Sequence, residues 1–358
     1  MTARMFYDKD CSLEPLSGKN IVFIGYGNQG RAQALNLRDT FKTESLSPAP
    51  TIKIANPKDS YAKTAEDDGF GYTSEWGAAA AEADVLFLLV PDQPKLFNES
   101  IAPTLKKSCC VVVASGYNVF YKYLNIPSSC DVAMVAPRMI GTSVRSRFES
   151  GQGFPCFVSV EQDGTRKAWE TALALSRGIG ATKGGVIESS VREETLMDLF
   201  AEQALWPAVL ACFNKAYSLL KSLGCSDEAL VHEMWLSKEP VRHIRSETRQ
   251  KADSIQAEIF EKAADDGFIK QLIHHSSVSQ FGQLKGSFEV DTSLIEKEFK
   301  RVAEDRVLNG KFAEEFTALE KSPGGIEKAL EGLYEKAYDS ELGRGEKRVR
   351  ERLGLRTG

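Results

Sequence analysis

Five runs of almost unbroken apolar residues constrain this chain most: "NIVFIGYG" (20–27), "TIKIAN" (51–56), "DVLFLLVPD" (84–92), "CCVVVAS" (109–115) and "VAMVAP" (132–137). A strand half-exposed to water alternates apolar and polar residues, whereas a strand apolar throughout is covered on both faces. Such strands belong to parallel sheets flanked by helices. Helical patterns lie between them, for example "GRAQALNLRDTF" (30–41) and "SYAKTAEDDG" (60–69). "PCFVSVEQD" (155–163) reads as another strand, and "GTRKAWETALALSRGIG" (164–180) as the helix after it. This alternation predicts a doubly wound α/β domain.

After "GGVIESS" (184–190) the period changes to that of helices, with no further strand expected. A long helix is expected over 226–267, interrupted near Pro240. The fold class predicted is α/β, with a Rossmann-type parallel sheet over 1–185 and an all-α domain over 186–358. At 358 residues the chain is long enough for both cores.

A net charge of −5 provides no basic footprint, so neither nucleic acid nor an anionic membrane is the expected partner. The apolar run "VLFLLV" (85–90) is far too short to span a bilayer. The opening "MTARMFYDKDCSLEP" lacks an apolar signal region, and the seven cysteines show no paired metal spacing. They are read as reduced thiols of an intracellular protein, cytoplasmic by expectation with an organelle left open. Adjacent Cys109 and Cys110 should point to opposite faces of their strand.

"FIGYGNQG" places Gly25, Gly27 and Gly30 as G-x-G-x-x-G after a strand and at the start of a helix. The three glycines serve a tight turn, backbone approach to a pyrophosphate, and close helix–strand packing. The helix N-terminus supplies N–H donors and the positive end of a dipole. Tyr26, Asn28 and Gln29 lie between the glycines and join them as candidate cofactor contacts. An acidic residue at the end of the second strand would select NAD through the ribose hydroxyl. Asn56 stands there instead, with Lys58 and Ser60 just beyond, which suits the 2′-phosphate of NADPH. Asp59 in the same loop pulls towards NADH.

"ETLMDLFAE" (194–202) sets Glu194, Asp198 and Glu202 four residues apart, on one face of a helix. Like charges at that spacing repel, so the stripe holds a metal, holds a substrate, or faces water.

The chain resembles the ketol-acid reductoisomerases of branched-chain amino acid synthesis. The matching stretches are "YDKDCSLEPLSGKNIVFIGYGNQGRAQALNLRD" (7–39), "LVPDQ" (89–93), "VAPR" (135–138), "GIGATKGGVIESSVREETLMDLFAEQ" (178–203) and "GKFAEEF" (310–316). The resemblance implies NADPH as hydride donor, with Val90 and Pro91 added to the cofactor candidates. It also implies a helical domain that binds substrate and pairs with another subunit, in a homodimer or higher oligomer. Family members polarise a ketol for alkyl migration with two magnesium ions, and Asp198 and Glu202 match two of the metal carboxylates.

Several positions depart from the family pattern. Ser115 in "VVASGYN" stands where the family has a strand-end histidine. Arg138 in "VAPRMIGT" replaces a catalytic lysine, and arginine differs by its planar fork and permanent charge. Glu233 maps to a glutamate of the next helix, but Ser237 falls where its partner would be, leaving Glu258 or Glu261 as possible replacements. Ser277 and Ser279 resemble a substrate-binding serine loop, and Trp206 adds bulk after the carboxylates.

The catalytic candidates are therefore Asp198, Glu202, Arg138 and Ser115, with Arg138 expected to fork a substrate carboxylate or to form a strand-end ion pair. Substrate-binding candidates are Glu233, Ser277, Ser279 and Trp206. One magnesium ion on Asp198 and Glu202 is left open, and a two-ion cluster is not expected. Alkyl migration needs strong Lewis-acid polarisation, whereas hydride transfer to an iminium carbon does not. The leading expectation is thus an NADPH-dependent reductase of a small carboxylate-bearing cyclic imine or 2-oxo acid. The alternatives are a true magnesium-dependent ketol-acid reductoisomerase and an inactive nucleotide-binding paralogue.

Overall fold

The computed structural model describes residues 3–90, 94–201, 205–226, 269–302 and 322–339, with positions 229, 230, 233, 234, 262, 266, 267, 304, 305, 309, 311, 315, 318, 319, 344, 347 and 351 between and beyond them. The chain divides into two compact units, one of 1–203 with 235–282 and another of 204–234 with 283–358.

The first unit is built on a nine-stranded sheet in the order β1-β9-β8-β7-β6-β5-β2-β3-β4. Its strands are β1 (Met5–Phe6), β2 (Asn20–Ile24), β3 (Thr51–Ala55), β4 (Gly71–Thr73), β5 (Val85–Leu88), β6 (Cys110–Val113), β7 (Asp131–Pro137), β8 (Cys156–Asp163) and β9 (Val186–Glu188). All six strands read from the sequence are present; β1, β4 and β9 are two or three residues long, too short for a periodic pattern.

Helices α1 (Asn28–Thr43), α2 (Ser60–Asp67), α3 (Trp76–Glu82), the single turn α4 (Pro94–Leu96), α5 (Tyr117–Phe120), α6 (Gly141–Glu149), α7 (Ala168–Gly178) and α8 (Val191–Phe200) follow the strands. Period-two alternation sends Ile21 and Phe23 of β2 to one face, against α1 and α7, and Val22 and Ile24 to the other, against α3. Phe23 stacks on Phe87 of β5 with ring centroids 4.3 Å apart. Cys110 joins the first of these cores and Cys109 the second, as strand alternation requires. All seven cysteines are free, and burial pushes the Cys109 thiol up to about 12.

The sheet departs from the fully parallel expectation at two pairings. β8 runs antiparallel to β7 and β1 antiparallel to β9. Pro137 pairs with Cys156, so the connection through α6 returns to the end of β7 that it left, and β8 must then run backwards. A parallel partner would need a crossover to the opposite end of the sheet. The connection instead keeps α6 at the edge where α1 begins.

In the second unit α9 (Trp206–Ser222), α11 (Ser293–Val302) and α12 (Gly325–Tyr338) are helical, and Lys215 pairs with Glu296 at 3.0 Å between the first two. Helix α10 (Ser277–Glu289) runs across residues assigned to both units. Among the described residues there is no strand after Glu188. The long helix expected over 226–267 falls largely outside the described residues. No described helix is long and apolar enough to cross a membrane.

Candidate functional site

The turn between β2 and α1 has the geometry that its glycines predict. Gly25 holds φ at +101°, a conformation that side chains rarely adopt, and a Cβ there would lie 2.6 Å from the Leu89 carbonyl oxygen. A Cβ at Gly30 would sit 2.3 Å from the Gly25 carbonyl oxygen, so this glycine lets the helix close onto the turn. Around Gly27, by contrast, nothing lies within 4 Å of a built Cβ. Gly27 caps α1, whose first N–H groups have no helical acceptor. Open space above an unpaired helix N-terminus is what a pyrophosphate requires, so these residues fit a dinucleotide.

The other cofactor candidates divide into supports and exposed groups. Asn56, at the end of β3, is buried, and its Oδ1 accepts from the Tyr26 N–H at 3.1 Å while its Nδ2 donates to Asp59 Oδ1 at 2.8 Å. Its amide is committed to the protein, so this candidate cofactor residue supports the glycine turn from the end of β3. Asp59 is likewise engaged, capping α2 by accepting from the N–H groups of Tyr61 and Ala62. Tyr26 is corrected as a side-chain contact. Its ring is fully buried and its hydroxyl donates to Asp68 Oδ2 at 2.9 Å. Gln29 donates to the Met139 carbonyl at 2.7 Å, tying the glycine turn to the loop after Arg138. Lys58 and Ser60 are exposed beyond β3, and Val90 is half-buried. Pro91 lies outside the described residues.

The acidic stripe belongs to α8. Ser190 caps this helix by accepting from the Glu193 N–H at 3.1 Å, and Glu161 of β8 accepts from the Val191 N–H at 2.9 Å. With the entry fixed, α8 turns Val191, Glu194 and Thr195 inward and leaves Leu196, Met197 and Phe200 exposed. This departs from ordinary amphipathicity: an acid, Glu194, lies on the inner side while large apolar residues lie outside. A solvated face is therefore excluded for Glu194, which is 1% exposed.

Glu194 is not among the catalytic candidates of the sequence, yet of the two described carboxylates of the stripe it is the better satisfied. Its Oε2 accepts from the Gly116 N–H at 2.7 Å, and its Oε1 from Arg138 Nη1 at 2.7 Å. Gly116 has no room for a side chain, since a Cβ would lie 2.6 Å from the Val191 carbonyl oxygen. Arg138 Nη2 donates to Asp198 Oδ1 at 2.9 Å, so one guanidinium spans both acids. The Arg138 N–H donates to the Pro155 carbonyl at 2.9 Å, and its guanidinium lies 5.0 Å from the centre of the Phe157 ring.

Burial pushes the Glu194 carboxyl above its ordinary range, and the Asp198 charge adds to this, while Arg138 and the Gly116 N–H pull it back. Burial works against the Arg138 charge too, but Asp198 and Glu194 outweigh it and hold its pKa above the usual arginine value. The expectation that Arg138 forks a substrate carboxylate is thus corrected. Its fork is committed to Glu194 and Asp198, the strand-end ion-pair alternative. The sequence signal was present in the stripe itself, because Glu194 falls one turn before Asp198.

Ser115 is exposed and precedes the Gly116 anchor. Ser277 and Ser279 lie in the first turn of α10, Ser277 exposed and Ser279 buried, with the Ser279 N–H donating to Ser276 Oγ at 3.1 Å. Trp206 opens α9, half-buried, and Glu233 is exposed. Glu202, Ser237, Glu258 and Glu261 lie outside the described residues. Among the described residues no three His, Cys, Asp or Glu side chains converge as a metal-ion cluster. Asp198 gives one oxygen to Arg138 and Glu194 gives both of its oxygens away. Of the two carboxylates matched to the family's metal ligands only Asp198 is described, and the guanidinium on its Oδ1 does not suit a divalent ion beside it.

Comparison with known proteins identifies the family of both parts of the chain. Residues 15–185 match the acetohydroxy acid isomeroreductase NADPH-binding domain, and residues 191–354 match the ketol-acid reductoisomerase C-terminal domain. A ketol-acid reductoisomerase (NADP(+)) of Sulfurisphaera tokodaii is 34% identical over 349 residues, 96% of each chain. One from Pyrobaculum islandicum is 36% identical over 341 residues, 94% of this chain and 93% of the other. The solved structure of an NADH-preferring ketol-acid reductoisomerase from an uncultured archaeon superposes with a TM-score of 0.60 at 27% identity, covering 97% of this chain and 98% of that one. The chain belongs to the ketol-acid reductoisomerase family and is an NAD(P)H-dependent oxidoreductase carrying the family's NADPH-binding domain.

Proposed function

We propose that this protein is an NADPH-dependent reductase of a small cyclic imine or 2-oxo acid bearing a carboxylate, and that it does not perform the two-metal alkyl shift. The observation that carries this reading is the Arg138 fork, bonded to Glu194 at 2.7 Å and Asp198 at 2.9 Å. A permanent cation there is paired with Asp198, one of the two carboxylates matched to the family's metal ligands. Alkyl migration in a neutral ketol needs a Lewis acid.

NADPH, when bound, would supply a hydride for an electrophilic carbon. The glycine turn would hold its pyrophosphate over the N-terminus of α1, and exposed Lys58 and Ser60 would take its 2′-phosphate. Asp198 Oδ2 has no hydrogen-bond partner among the described residues and is left to accept an N–H from the substrate. A protonated imine gains electrostatic stabilisation from that oxygen, which makes it the best fit. The exposed Leu196, Met197 and Phe200 are read as a face covered by a second copy of the chain in a homodimer or higher oligomer.

The test is NADPH oxidation with a panel of cyclic imine carboxylates and 2-oxo acids in excess chelator, run beside acetolactate with magnesium. Chelator-resistant turnover of an imine or oxo acid is expected. A true ketol-acid reductoisomerase is the second reading, favoured by relatives of that name at 34% and 36% identity over nearly the whole chain. Magnesium-dependent turnover of acetolactate at ordinary enzymatic rates would establish it instead.

A further inference from the structure

The structure assigns Arg138 a specific part: we infer that its guanidinium is a resident counter-cation, fixed by Glu194, that closes the Asp198 side of the carboxylate stripe to divalent metal. The inference rests on the reductase reading of the same site and extends it from which reaction occurs to which ion the protein accepts.

Four features fix the guanidinium. Nη1 meets Glu194 and Nη2 meets Asp198, so the two arms of one planar group are held by different acids. The backbone is anchored to Pro155, and the Phe157 ring lies against the charge. Glu194 cannot swing away, because its second oxygen holds the Gly116 N–H and Gly116 is wedged against Val191. An ion approaching Asp198 would therefore meet a cation that has nowhere to retreat.

Magnesium demands near-octahedral oxygen ligands at about 2.0–2.1 Å and gives up its water reluctantly. It would have to displace Arg138 from Asp198 or bind through the other oxygen beside a guanidinium. A lysine is a flexible point charge that makes no planar two-armed bridge. The difference between arginine and lysine here is thus a difference in whether the acids can turn to an ion.

The experiment is calorimetric titration of the full chain with magnesium, and with manganese read by electron paramagnetic resonance, each in the presence of NADPH. Wild type is expected to take up metal only weakly, in the millimolar range by order of magnitude for a single ion on few carboxylates. Arg138→Lys and Arg138→Gln, with NADPH binding and circular dichroism confirming their fold, should bind at least about tenfold more tightly. Asp198→Asn in the otherwise wild-type chain should leave the weak uptake unchanged. Tight binding of two ions by wild type overturns the inference, and so does equal affinity in wild type and the folded arginine variants. A loss of uptake in Asp198→Asn also overturns it, and this arm stands even if neither arginine variant folds. The reductase reading fails on a different result, acetolactate turnover, so the two failures are told apart.

Discussion

The glycine turn and the acidic face of α8 build functional geometry by opposite means. The turn works by omission: Gly27 leaves room, Gly25 takes a positive φ, and Gly30 lets a helix touch a carbonyl. The acidic face works by mutual satisfaction, with Arg138 bonded to acids 56 and 60 positions later in the chain. A site made of backbone tolerates no added atom at its tight glycines. A site made of charges paired around a buried carboxylate tolerates no missing partner. The comparison predicts which kind of substitution damages each.

The largest effect is expected at the charge pair. Arg138→Met removes the counter-ion of a carboxylate that is 1% exposed, and breaking a buried pair this way costs about 3–5 kcal/mol. Urea unfolding of the variant against wild type measures it, and a loss below about 1 kcal/mol would mean Glu194 is solvated after all. Gly30→Ala comes next. Its Cβ would collide with a backbone oxygen at 2.3 Å, and overpacking of this kind costs about 1–3 kcal/mol. Gly27→Ala has free space and should keep wild-type stability to within about 0.5 kcal/mol while weakening NADPH binding by about tenfold or more. Thermal unfolding and NADPH titration of the two alanine variants separate the glycine that serves packing from the one that serves the ligand.

The two regions also differ in how far the sequence alone revealed them. Local pattern was enough for the turn, because strand, G-x-G-x-x-G and helix are contiguous and each glycine's role follows from its place. The same contiguity made β2, β3, β5, β6, β7 and β8 readable. It failed for β1 and β9, two and three residues long, which form by pairing across the length of the domain, β1 with β9 and β9 also with β8. It failed again for the direction of β8, which depends on where α6 returns the chain. In the carboxylate stripe the spacing showed that Glu194 and Asp198 share a face. The partner was not legible, because Arg138 suits a substrate carboxylate and a protein carboxylate equally until Glu194 is seen against Gly116. Asn56 was legible only in part: its place at the strand end marks it as a cofactor-site residue, but that its amide holds Tyr26 and Asp59 depends on the fold.

Titration should sharpen the contrast with effects of intermediate size. Glu194, raised mainly by burial, contributes stability that is present below the ordinary glutamate range and is lost as pH rises through its folded value. Asp68 near the glycine turn is lowered, chiefly by the hydrogen bonds from Arg31. Its contribution is present above the ordinary aspartate range, about pH 3.9, and is lost as pH falls through its folded value. Glu194→Gln should therefore gain on wild type as pH rises from about 4 upward, whereas Asp68→Asn should close its deficit as pH falls below about 4. Denaturation midpoints of both variants between pH 3 and 8 provide the two slopes. Slopes of the same sign would remove the electrostatic distinction between the regions.

The smallest effect is expected at the edge of the cofactor site, where neither device operates. Lys58 and Ser60 are exposed, and no hydrogen bond to a protein group pre-positions the Lys58 ammonium among the described residues. An exposed, flexible lysine gains little from a phosphate in high dielectric, about 0.2–1 kcal/mol, and the gain is screened by salt. Lys58→Ala should therefore weaken NADPH by only about two- to fivefold, leave NADH unchanged, and lose even that difference at about 1 M salt. Direct titration of both nucleotides at low and high ionic strength reads all three expectations together. Equal weakening of NADPH and NADH would place Lys58 on a part the two cofactors share and move the 2′-phosphate elsewhere. A tenfold or larger loss that survives high salt would mean that the Lys58 loop closes around the phosphate, giving this corner the rigid pairing otherwise found at Arg138.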